Sequence, residues 1–328
     1  MTIKKISRHL SPMEISPFTK IVVSAIQKLY PEKLADSTFD NTGLLLEAPY
    51  RPNYLRNSVL LTIDLTTAVA NEAIARKDSA IIAYHPIIFR PLMSLTSRNT
   101  QQSTLLRLAQ EGISVYCPHT AVDAAPNGLN DWLADIVTGK ETESSSQISQ
   151  STRSLIKPIS DSPTGFDGAG YGRIVKFNKP VSLKILLERI TKGLNAMNGL
   201  SVAVPQAVIG TSKPNISISS VGICAGSGGF LLNGLDVDLL FTGELSHHEA
   251  LAAIEAGKVV VTAGHSNTER IFLKSRMCSL LEEQIRQEIR QTGTKEDSSV
   301  EIADFSVDIS KLDRDPYDLV RLYDEDWK

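Results

Sequence analysis

The chain has 328 residues, 42% of them hydrophobic and 22% charged, which is close to the average for globular proteins and excludes a disordered or fibrous chain. Its 34 Lys and Arg against 37 Asp and Glu give a formal net charge of -3, so we expect no direct binding to nucleic acid. No apolar run approaches the ~20 residues of a membrane-spanning helix, and the length predicts two domains or one domain with a large insertion.

Residues 1–17 form a basic N-terminal segment that lacks the apolar core of a secretory signal. We predict a flexible tail there, with a mitochondrial transit peptide as the alternative. The three cysteines have neither paired nor CxxC spacing, which favours a reducing compartment. We therefore expect a cytoplasmic protein, or a mitochondrial one if the tail is a transit peptide.

A first α/β half is predicted over residues 18–139. It opens with a helix from Phe18 to Leu29 and then alternates buried strands with amphipathic helices. The strands are Ser58–Asp64, Ser79–Tyr84 and Ile113–Tyr116, and the helices between them are Thr66–Arg76 and Gln102–Glu111. This alternation predicts a mainly parallel sheet.

The middle of the chain breaks this pattern. Residues 140–164 are rich in Ser, Thr and Gln, which predicts a polar linker. An inserted α+β segment follows over residues 165–220, with strands at Arg173–Phe177, Ser201–Val208 and Ile216–Ile223 and a helix at Ser182–Leu194. Residues 221–328 return to α/β units, with strands at Val237–Phe241 and Lys258–Thr262 and helices at Ser246–Glu255 and Ile271–Arg290.

Two segments of the chain resemble each other. Each has a helix, a glycine, a strand and then a His-x-x-x-acid pattern, ending in His119 and Asp123 in the first case and in His265 and Glu269 in the second. Ligands of open α/β sheets collect beyond the carboxyl ends of the strands. We therefore predict an α/β fold with two related halves, whose mainly parallel sheets face a shared site.

Imidazoles are concentrated at these strand ends. Five of the six histidines fall there: His85, His119, His247, His248 and His265. Carboxylates stand beside them at Asp123, Glu244 and Glu269. Neutral imidazole with carboxylate suits zinc, iron, manganese or nickel, and a pair of ions bridged by a carboxylate can activate water for hydrolysis.

Structural roles are the alternative for several of these residues. Glu269 can complete a capping box with Ser266 at the start of a helix, and Asp123 can cap a turn. His247 and His248 can lie exposed on the first turn of a helix.

Two glycine-rich turns are candidates for binding an anionic group. The backbone N–H groups of Gly226, Ser227 and Gly228 follow a predicted strand and can cradle an anion. Arg173 follows the second glycine-rich stretch, Gly168-Ala-Gly-Tyr-Gly172, and is a candidate for the same role. The first turn lacks the Lys-Ser/Thr ending of a nucleotide-binding loop. The second leads into a strand rather than a helix, so a tight turn is the alternative there.

Taken together, these motifs resemble the Ngg-interacting factor three family, also named GTP cyclohydrolase 1 type 2-like. The resemblance lies in seven blocks, Asp40-Asn-Thr-Gly-Leu44, Tyr84-His85-Pro86, His119-Thr-Ala-Val-Asp123, Gly165–Arg173, Gly226-Ser-Gly228, Thr242-Gly-Glu244 with His247-His248, and Gly264–Glu269. It implies two interlinked α/β halves, a dinuclear metal site between them and a homo-oligomer, often a ring-shaped hexamer.

The resemblance also implies a set of metal ligands. His85 and Asp123 would hold one divalent ion, His265 would hold the other, and Glu269 would bridge both. Bacterial relatives commonly have a histidine where this chain has Tyr84.

That departure removes one ligand of the second ion. Tyr84 itself, His119 or one of the pair His247 and His248 would have to replace it.

Two functions are compatible with this interpretation. The first is a dinuclear metal-dependent hydrolase that acts on a small phosphate-bearing or nucleotide-like substrate, with Glu244 or His119 as general acid or base. The second is a non-catalytic metal-binding scaffold or protein-interaction partner, which includes indirect transcriptional co-regulation through another protein.

Overall fold

The computed structural model describes residues 14–196, 199–208, 212–293, 302 and 304–318. Apart from residues 14–17, the predicted N-terminal tail lies outside the described residues. The strands are β1 (Gly43–Leu46), β2 (Ser58–Thr62), β3 (Ala80–Ala83), β4 (Ser114–Cys117), β5 (Ser151–Pro158), β6 (Gly170–Ser182), β7 (Ser201–Ala203), β8 (Ser217–Ser227), β9 (Leu239–Glu244), β10 (Val259–Thr262) and β11 (Ser306–Ile309). The helices are α1 (Pro17–Leu29), α2 (Thr67–Arg76), α3 (Thr100–Glu111), α4 (Thr120–Ala124), α5 (Leu129–Thr138), α6 (Leu183–Leu194), α7 (Gly229–Leu232), α8 (His247–Glu255), α9 (Asn267–Phe272) and α10 (Cys278–Gly293).

The first sheet has the strand order β1-β4-β3-β2-β11. Strands β4, β3, β2 and β11 run parallel to their neighbours, and only β1 pairs antiparallel, with β4. The three central strands are buried along their whole length, as expected for a parallel sheet covered on both faces.

The second sheet has the order β5-β6-β8-β9-β10-β7. Its centre, β8-β9-β10, is parallel, and the pairs β5-β6, β6-β8 and β10-β7 are antiparallel. The strands of the inserted α+β segment, β6, β7 and the start of β8, therefore belong to the same sheet as the second α/β half. The predicted class, two α/β halves, is confirmed; the first sheet is mainly parallel, whereas the second is mixed, because the strands of the inserted segment join it antiparallel.

The predicted polar linker, residues 140–164, needs one correction. Residues Ser151–Pro158 form β5, an edge strand that pairs antiparallel with β6. Its residues are only partly buried or exposed, so the strand carries little apolar periodicity. The long neighbouring strand, rather than a hydrophobic pattern, determines its conformation.

One hydrophobic core joins the two sheets. It combines residues of the first sheet, such as Leu61, with residues of the second, such as Phe241, and with Ile26 of α1, Trp132 of α5 and Leu281 of α10. Helices α2 and α3 cover the outer face of the first sheet, and α8 packs on the outer face of the second. The sheets thus enclose a shared helical layer.

Helix ends near the site are set by local side chains. At the start of α8, the Ser246 hydroxyl accepts a hydrogen bond from the Glu249 N–H, and the Glu249 carboxylate accepts one from the Ser246 N–H at 2.8 Å, forming a capping box. The predicted helix Ile271–Arg290 is present as α9 and α10, joined by a π-helical segment at Leu273–Met277.

Among the described residues, no helix combines the length and apolar character needed to cross a membrane.

Candidate metal centre

Side chains from both halves meet at the carboxyl ends of the parallel strands. His85 follows β3, His119 follows β4 and His265 follows β10, while Glu269 lies on α9. The edges of the two sheets face each other there, so residues distant in the sequence come together. This is the edge at which open α/β sheets bind ligands.

Three of the predicted ligands form a compact group. The ligand atoms of His85, His265 and Glu269 all lie within 4.8 Å of one another, so the group could hold a metal ion. Glu269 stands between the two imidazoles, with 3.3 Å from its Oε2 to His85 Nε2 and 3.5 Å from its Oε1 to His265 Nε2. Its side chain is only 3% exposed, and such burial of a carboxylate is rare without a compensating partner.

Two atoms of this group lack hydrogen bonds. His85 Nε2 and Glu269 Oε2 are buried and make none with the described residues. Burial by itself lowers the pKa of His85, but the carboxylates of Asp64 and Glu269 outweigh it and raise the pKa to about 10. Buried polar atoms are nearly always satisfied, so these two fit a site built for a cation.

A carboxylate holds the far nitrogen of each histidine around the site. In every pair the Nδ1 atom contacts a carboxylate oxygen, which leaves Nε2 to face the site. The pairs are His85 with Asp64 at 2.9 Å, His265 with Glu244 at 2.9 Å and His119 with Asp40 at 2.6 Å. Metal-binding histidines typically have this arrangement, because it fixes the ring and increases the basicity of the ligating nitrogen.

The roles of Asp40 and Asp64 were not predicted from the sequence. Asp64 comes two residues after β2, and β2 pairs with β3 so that Thr62 lies opposite Ala83, which brings Asp64 beside His85. A carboxylate just past a parallel strand was the available signal for Asp64.

Tyr84 hydrogen-bonds to Asp123, a candidate metal ligand, and does not itself take the place of a missing ligand. Its hydroxyl donates a hydrogen bond of 2.7 Å to Asp123 Oδ1. Burial and the nearby Asp123 and Glu269 carboxylates raise the pKa of Tyr84 well above its usual value, so the phenol stays neutral. Burial raises the pKa of Asp123 to about 7, although the Tyr84 hydrogen bond opposes the rise.

His119 lies in the same pocket in a strained backbone conformation. Its φ angle is 31°, which is rare for a residue with a side chain, and it stands at the N-terminus of α4. Asp40 fixes it, since that carboxylate also accepts hydrogen bonds from the N–H and hydroxyl of Thr120. The His119 ring packs edge-on against Tyr84 and His85, with centroids 5.5 and 5.4 Å away.

His247 and His248 lie outside the centre. Both side chains are exposed on the first turn of α8, and their rings contact each other at 5.3 Å. Neither lines the cavity that contains His85 and Glu269. The expectation that one of them completes the second ion's ligands is therefore corrected, because α8 turns outward after the capping box at Ser246.

Arg173 is not available to a substrate, which corrects its predicted role in anion binding. Its guanidinium is buried, and all of its N–H groups are engaged. It donates to both oxygens of Asp131 at 2.8 Å and to the carbonyl oxygens of Gly170, Gly172 and Ala125. The ion pair ties β6 to α5.

The glycine turn also has a different role from the predicted one. The Gly226 N–H donates to the Thr268 hydroxyl at 2.9 Å, and the Gly228 N–H points to the Glu244 carbonyl oxygen at 3.4 Å. Of the three predicted anion contacts, these two N–H groups are therefore engaged within the protein. Ser227 lines the cavity.

Gly226 leaves space for an ion. With a φ angle of +60°, a side chain there is strained, and its Cβ would lie 2.8 Å from Glu269 Oε1 and 3.0 Å from His265 Nε2. The backbone thus forms a cradle that any other residue would fill. Together with the buried atoms of His85 and Glu269 that make no hydrogen bond, this cradle fits a bound divalent ion.

Substituting Gly226 by alanine is expected to abolish ion binding. The methyl group would occupy space between Glu269 and His265, in addition to a backbone cost of about 1 kcal/mol for the positive φ angle. Gly234→Ala is the matched control, because Gly234 has a φ angle of +76° and no atom within 4 Å of an added Cβ. Elemental analysis of both purified variants measures the effect, and equal ion content in the two would contradict this role.

The centre lies in a cavity of about 950 Å³. Its floor holds the histidines and Glu269. Phe230, which is largely exposed, and the half-exposed Phe39 and Phe89 line the same cavity. Lys157 and the carboxylates of Asp36, Asp64 and Asp123 also line it. The cavity is in the size range of small-molecule sites and combines apolar walls with a few polar groups.

The sequence of the chain matches a known protein family. The family model Duf34/NIF3 (NGG1p interacting factor 3) matches residues 19–298. The protein NIF3 homolog of Schizosaccharomyces pombe is 44% identical over 308 residues, covering 94% of this chain and 99% of the relative. NGG1-interacting factor 3 of Saccharomyces cerevisiae is 41% identical over 277 residues, covering 80% and 90%.

The fold is also present in solved structures. A Bacillus cereus protein related to NIF3 superposes with a TM-score of 0.66 at 20% identity, covering 94% of this chain and all of that one. A Staphylococcus aureus hypothetical protein gives a TM-score of 0.68 at 21% identity, with the same coverage. The family match, the two yeast relatives and the shared fold lead to one conclusion: the chain belongs to the NIF3 family.

Proposed function

We propose that the chain is a hydrolase that uses two divalent ions and acts on a small phosphate-bearing or nucleotide-like substrate. One observation carries the proposal: a buried carboxylate, Glu269, lies between the Nε2 atoms of two histidines whose Nδ1 atoms are held by further carboxylates. That arrangement, which is typical of metal-binding histidines, supports a bound cation at both imidazoles.

We assign the ligands as follows. His85 and Asp123 would hold one ion, His265 would hold the other, and Glu269 would be a ligand shared by both. Tyr84 steadies Asp123 through its hydroxyl hydrogen bond. Imidazole and carboxylate ligands bind zinc, iron, manganese and nickel, so each of these ions is compatible with the ligand set.

The chemistry that such ions supply when bound is a lower pKa of the attacking water, toward about 7. The chain's own residues move the proton. His119 lines the cavity and is held by Asp40, so it is suited to act as general acid or base. Glu244, the other candidate, contacts His265 Nδ1 and does not line this cavity, so we assign it the orientation of that ring.

The walls of the cavity support the proposed substrate class. Phe39, Phe89 and Phe230 are exposed aromatic side chains against which a planar heterocycle can pack, and the rings of Phe39 and Phe89 already contact each other with centroids 6.4 Å apart. Lys157 is suited to contact an anionic group, and at 3.3 Å from Asp36 it is already held near the cavity. Lys157 therefore replaces Arg173 as the candidate for binding an anionic group.

Turnover on a panel of nucleotides and phosphoesters tests the proposal. Metal-loaded protein should hydrolyse at least one member, and His119→Ala should lower kcat by about 100-fold or more while ion content stays the same. Lys157→Gln should mainly raise KM. If no panel member is turned over, or if the turnover survives Glu269→Gln, the hydrolase proposal is wrong.

A scaffold that binds metal without catalysis is the second candidate. The yeast relative is named as a factor that interacts with NGG1, which favours a protein partner for this chain as well. Tyr84 also supports it, because the phenol is committed to Asp123 and adds no ligand of its own. Chelation that dissociates a homo-oligomer or a partner complex, in protein without turnover, would favour this function over hydrolysis.

Ion affinity is expected to fall as the pH falls. In the metal-free protein the pKa of His85 is about 10 and that of Asp123 about 7, so both carry protons below pH 7 and an ion must displace them. Apparent affinity should therefore drop by about 100-fold per pH unit below 7 and by about 10-fold per unit between 7 and 10. Isothermal titration in buffers of different ionisation enthalpy counts the released protons.

Asp123→Asn distinguishes the contribution of Asp123 from that of His85. In this variant ion affinity should lose the steeper pH dependence below pH 7 and keep the pH dependence seen between pH 7 and 10. A binding affinity that does not change with pH would contradict the assignment of both residues.

A further inference from the structure

The segment that follows β11 returns to the metal centre. Residues 310–318, which we call the strap, begin at the buried Ser310. The Ser310 N–H donates to the Leu61 carbonyl oxygen at 2.8 Å, and its hydroxyl donates to the Glu72 carboxylate at 2.6 Å. The strap is therefore anchored to the first half before it reaches the site.

Asp313 makes the central contacts of the strap. Its side chain is only 3% exposed. Its carboxylate accepts hydrogen bonds from the Ile63 N–H at 2.8 Å and from the Asp64 N–H at 3.4 Å, just past the end of β2. It also forms an ion pair with Arg270 of α9. One buried carboxylate thus joins the strand end that carries Asp64 to the helix that carries Glu269.

Arg270 lies between two carboxylates. Its guanidinium contacts Asp313 directly, whereas Asp64 Oδ2 is 3.7 Å from its Nη2. The other oxygen of Asp64 contacts His85 Nδ1 at 2.9 Å. Most of the Arg270 charge is therefore balanced by Asp313, and Asp64 stays with the histidine.

We propose that Asp313 is a positioning residue of the metal centre. It engages the guanidinium of Arg270, so that Asp64 remains committed to His85. A carboxylate on the far nitrogen of a metal-binding histidine fixes the ring and increases the basicity of the ligating nitrogen. Without the Asp313 charge, Arg270 would turn to Asp64 and draw negative charge away from His85. This inference rests on the metal centre of the proposed function, and it does not require that the centre be catalytic.

Asp313→Asn tests this role through the affinity for ions. The amide oxygen can still accept the Ile63 hydrogen bond, but the charge opposite Arg270 is lost. Loss of an outer partner of a metal ligand typically costs 10- to 100-fold, so the affinity of the whole metal-free chain for Zn²⁺ should fall by about 10-fold or more. Competition with a chelating dye measures it. The visible absorption of the Co²⁺-loaded variant should also change, because it reports the geometry of the ligands around the ion.

Two variants of the same strap serve as controls. Asp315→Asn makes the same charge change, at a carboxylate that accepts a hydrogen bond from the Ser266 hydroxyl at 2.9 Å and forms no ion pair with Arg270. Ser310→Ala removes the anchor to Glu72 and leaves the charges around Arg270 intact. Both should bind Zn²⁺ within about 3-fold of the unaltered protein and keep the Co²⁺ spectrum. Thermal unfolding of the metal-free variants checks that each is folded.

Removing the Arg270 charge as well should restore the affinity. In the double variant Asp313→Asn with Arg270→Gln, no guanidinium competes for Asp64. Its affinity for Zn²⁺ should therefore recover to within about 3-fold of the unaltered protein, which reveals the coupling between the two residues. If Asp313 only held the fold together, a second substitution in the same ion pair would not restore ion binding.

Amide hydrogen exchange tests the same coupling in the unaltered protein, and so does not depend on the folding of any variant. Coupling between two sites is reciprocal, so ion binding must also strengthen the contacts of Asp313. The Ile63 N–H, which donates to Asp313, should exchange about 10-fold more slowly in the metal-loaded protein. The Lys311 N–H, which donates to Glu72 at 3.1 Å, should slow less.

The outcomes separate this inference from the proposed function. The role of Asp313 is wrong if Asp313→Asn binds Zn²⁺ as tightly as the unaltered protein, or if the double variant binds no better than Asp313→Asn. It is also wrong if metal slows the Ile63 N–H no more than the Lys311 N–H. If the unaltered protein binds no ion, the metal centre and this role fail together. If Asp313→Asn weakens binding but no substrate is turned over, the role stands and the hydrolase proposal alone fails.

Discussion

Replacing Glu269 by glutamine is expected to weaken the binding of divalent ions by about 100-fold or more. The amide would keep the shape of the side chain but lose the negative charge that lies between His85 and His265. Loss of an outer partner of a ligand alone costs about 10- to 100-fold in affinity, so loss of a bridging ligand should cost at least about 100-fold.

The same change should remove the stabilisation that the ions provide. At an ion concentration about 100 times the dissociation constant, binding adds about 2.7 kcal/mol to the free energy of unfolding. A variant that binds about 100-fold more weakly would gain only about 0.4 kcal/mol under the same conditions. The difference corresponds to roughly 3 °C in the unfolding midpoint of a chain of this length.

Calorimetry with and without added metal measures this difference. Glu188→Gln makes the same charge change on the exposed face of α6, next to Lys184, and should respond to metal as the unaltered protein does. If Glu269→Gln is stabilised by metal as strongly as the unaltered chain, Glu269 is not a ligand.

Removing the Asp131 carboxylate is expected to cost about 3–5 kcal/mol of unfolding free energy, because it leaves the buried guanidinium of Arg173 without its counter-charge. Burial alone raises the pKa of Asp131, but Arg173 and Arg153 outweigh it and lower the pKa below its usual range. The stability from this group is therefore present at neutral pH and is lost as the pH falls through that lowered pKa.

Urea unfolding of metal-free Asp131→Ala measures the cost. An exposed pair on one helix, Arg286 and Glu282, provides the comparison, and Glu282→Ala should cost no more than about 0.5 kcal/mol. Folded Asp131→Ala should still bind divalent ions in full. If Asp131→Ala loses as little unfolding free energy as Glu282→Ala, the ion pair between Asp131 and Arg173 does not stabilise the fold.

The regular elements could be predicted because burial leaves a periodic pattern. Helix α2, for example, is predicted as Thr66–Arg76 and observed as Thr67–Arg76, and its start is fixed by the Thr66 side chain, which accepts a hydrogen bond from the Val69 N–H. Strand β5 lacks such a pattern, since its conformation depends on pairing with β6. Elements stabilised by a distant partner leave little signal in their own residues.

The candidate site could be predicted in part, because some of its residues lie at positions that the sequence pattern marks. His85, His265 and Glu269 stand at strand ends or at the start of a helix, and those positions are visible in the sequence. The partner of each Nδ1 atom is not, because it depends on which strands are neighbours and in which register. For Arg173 the sequence pattern was misleading. An arginine next to glycines looks the same in the sequence whether its side chain faces a ligand or is buried.

Strand β11 has a consequence for how the protein is made. It pairs with β2 at the edge of the first sheet, although the other strands of that sheet all lie before residue 118. While the ribosome is still producing the second half, β2 is an unprotected edge whose N–H and C=O groups can pair with another nascent chain. The first half is therefore expected to need either rapid completion of synthesis or a chaperone, and a fragment that ends before residue 306 should aggregate where the whole chain does not.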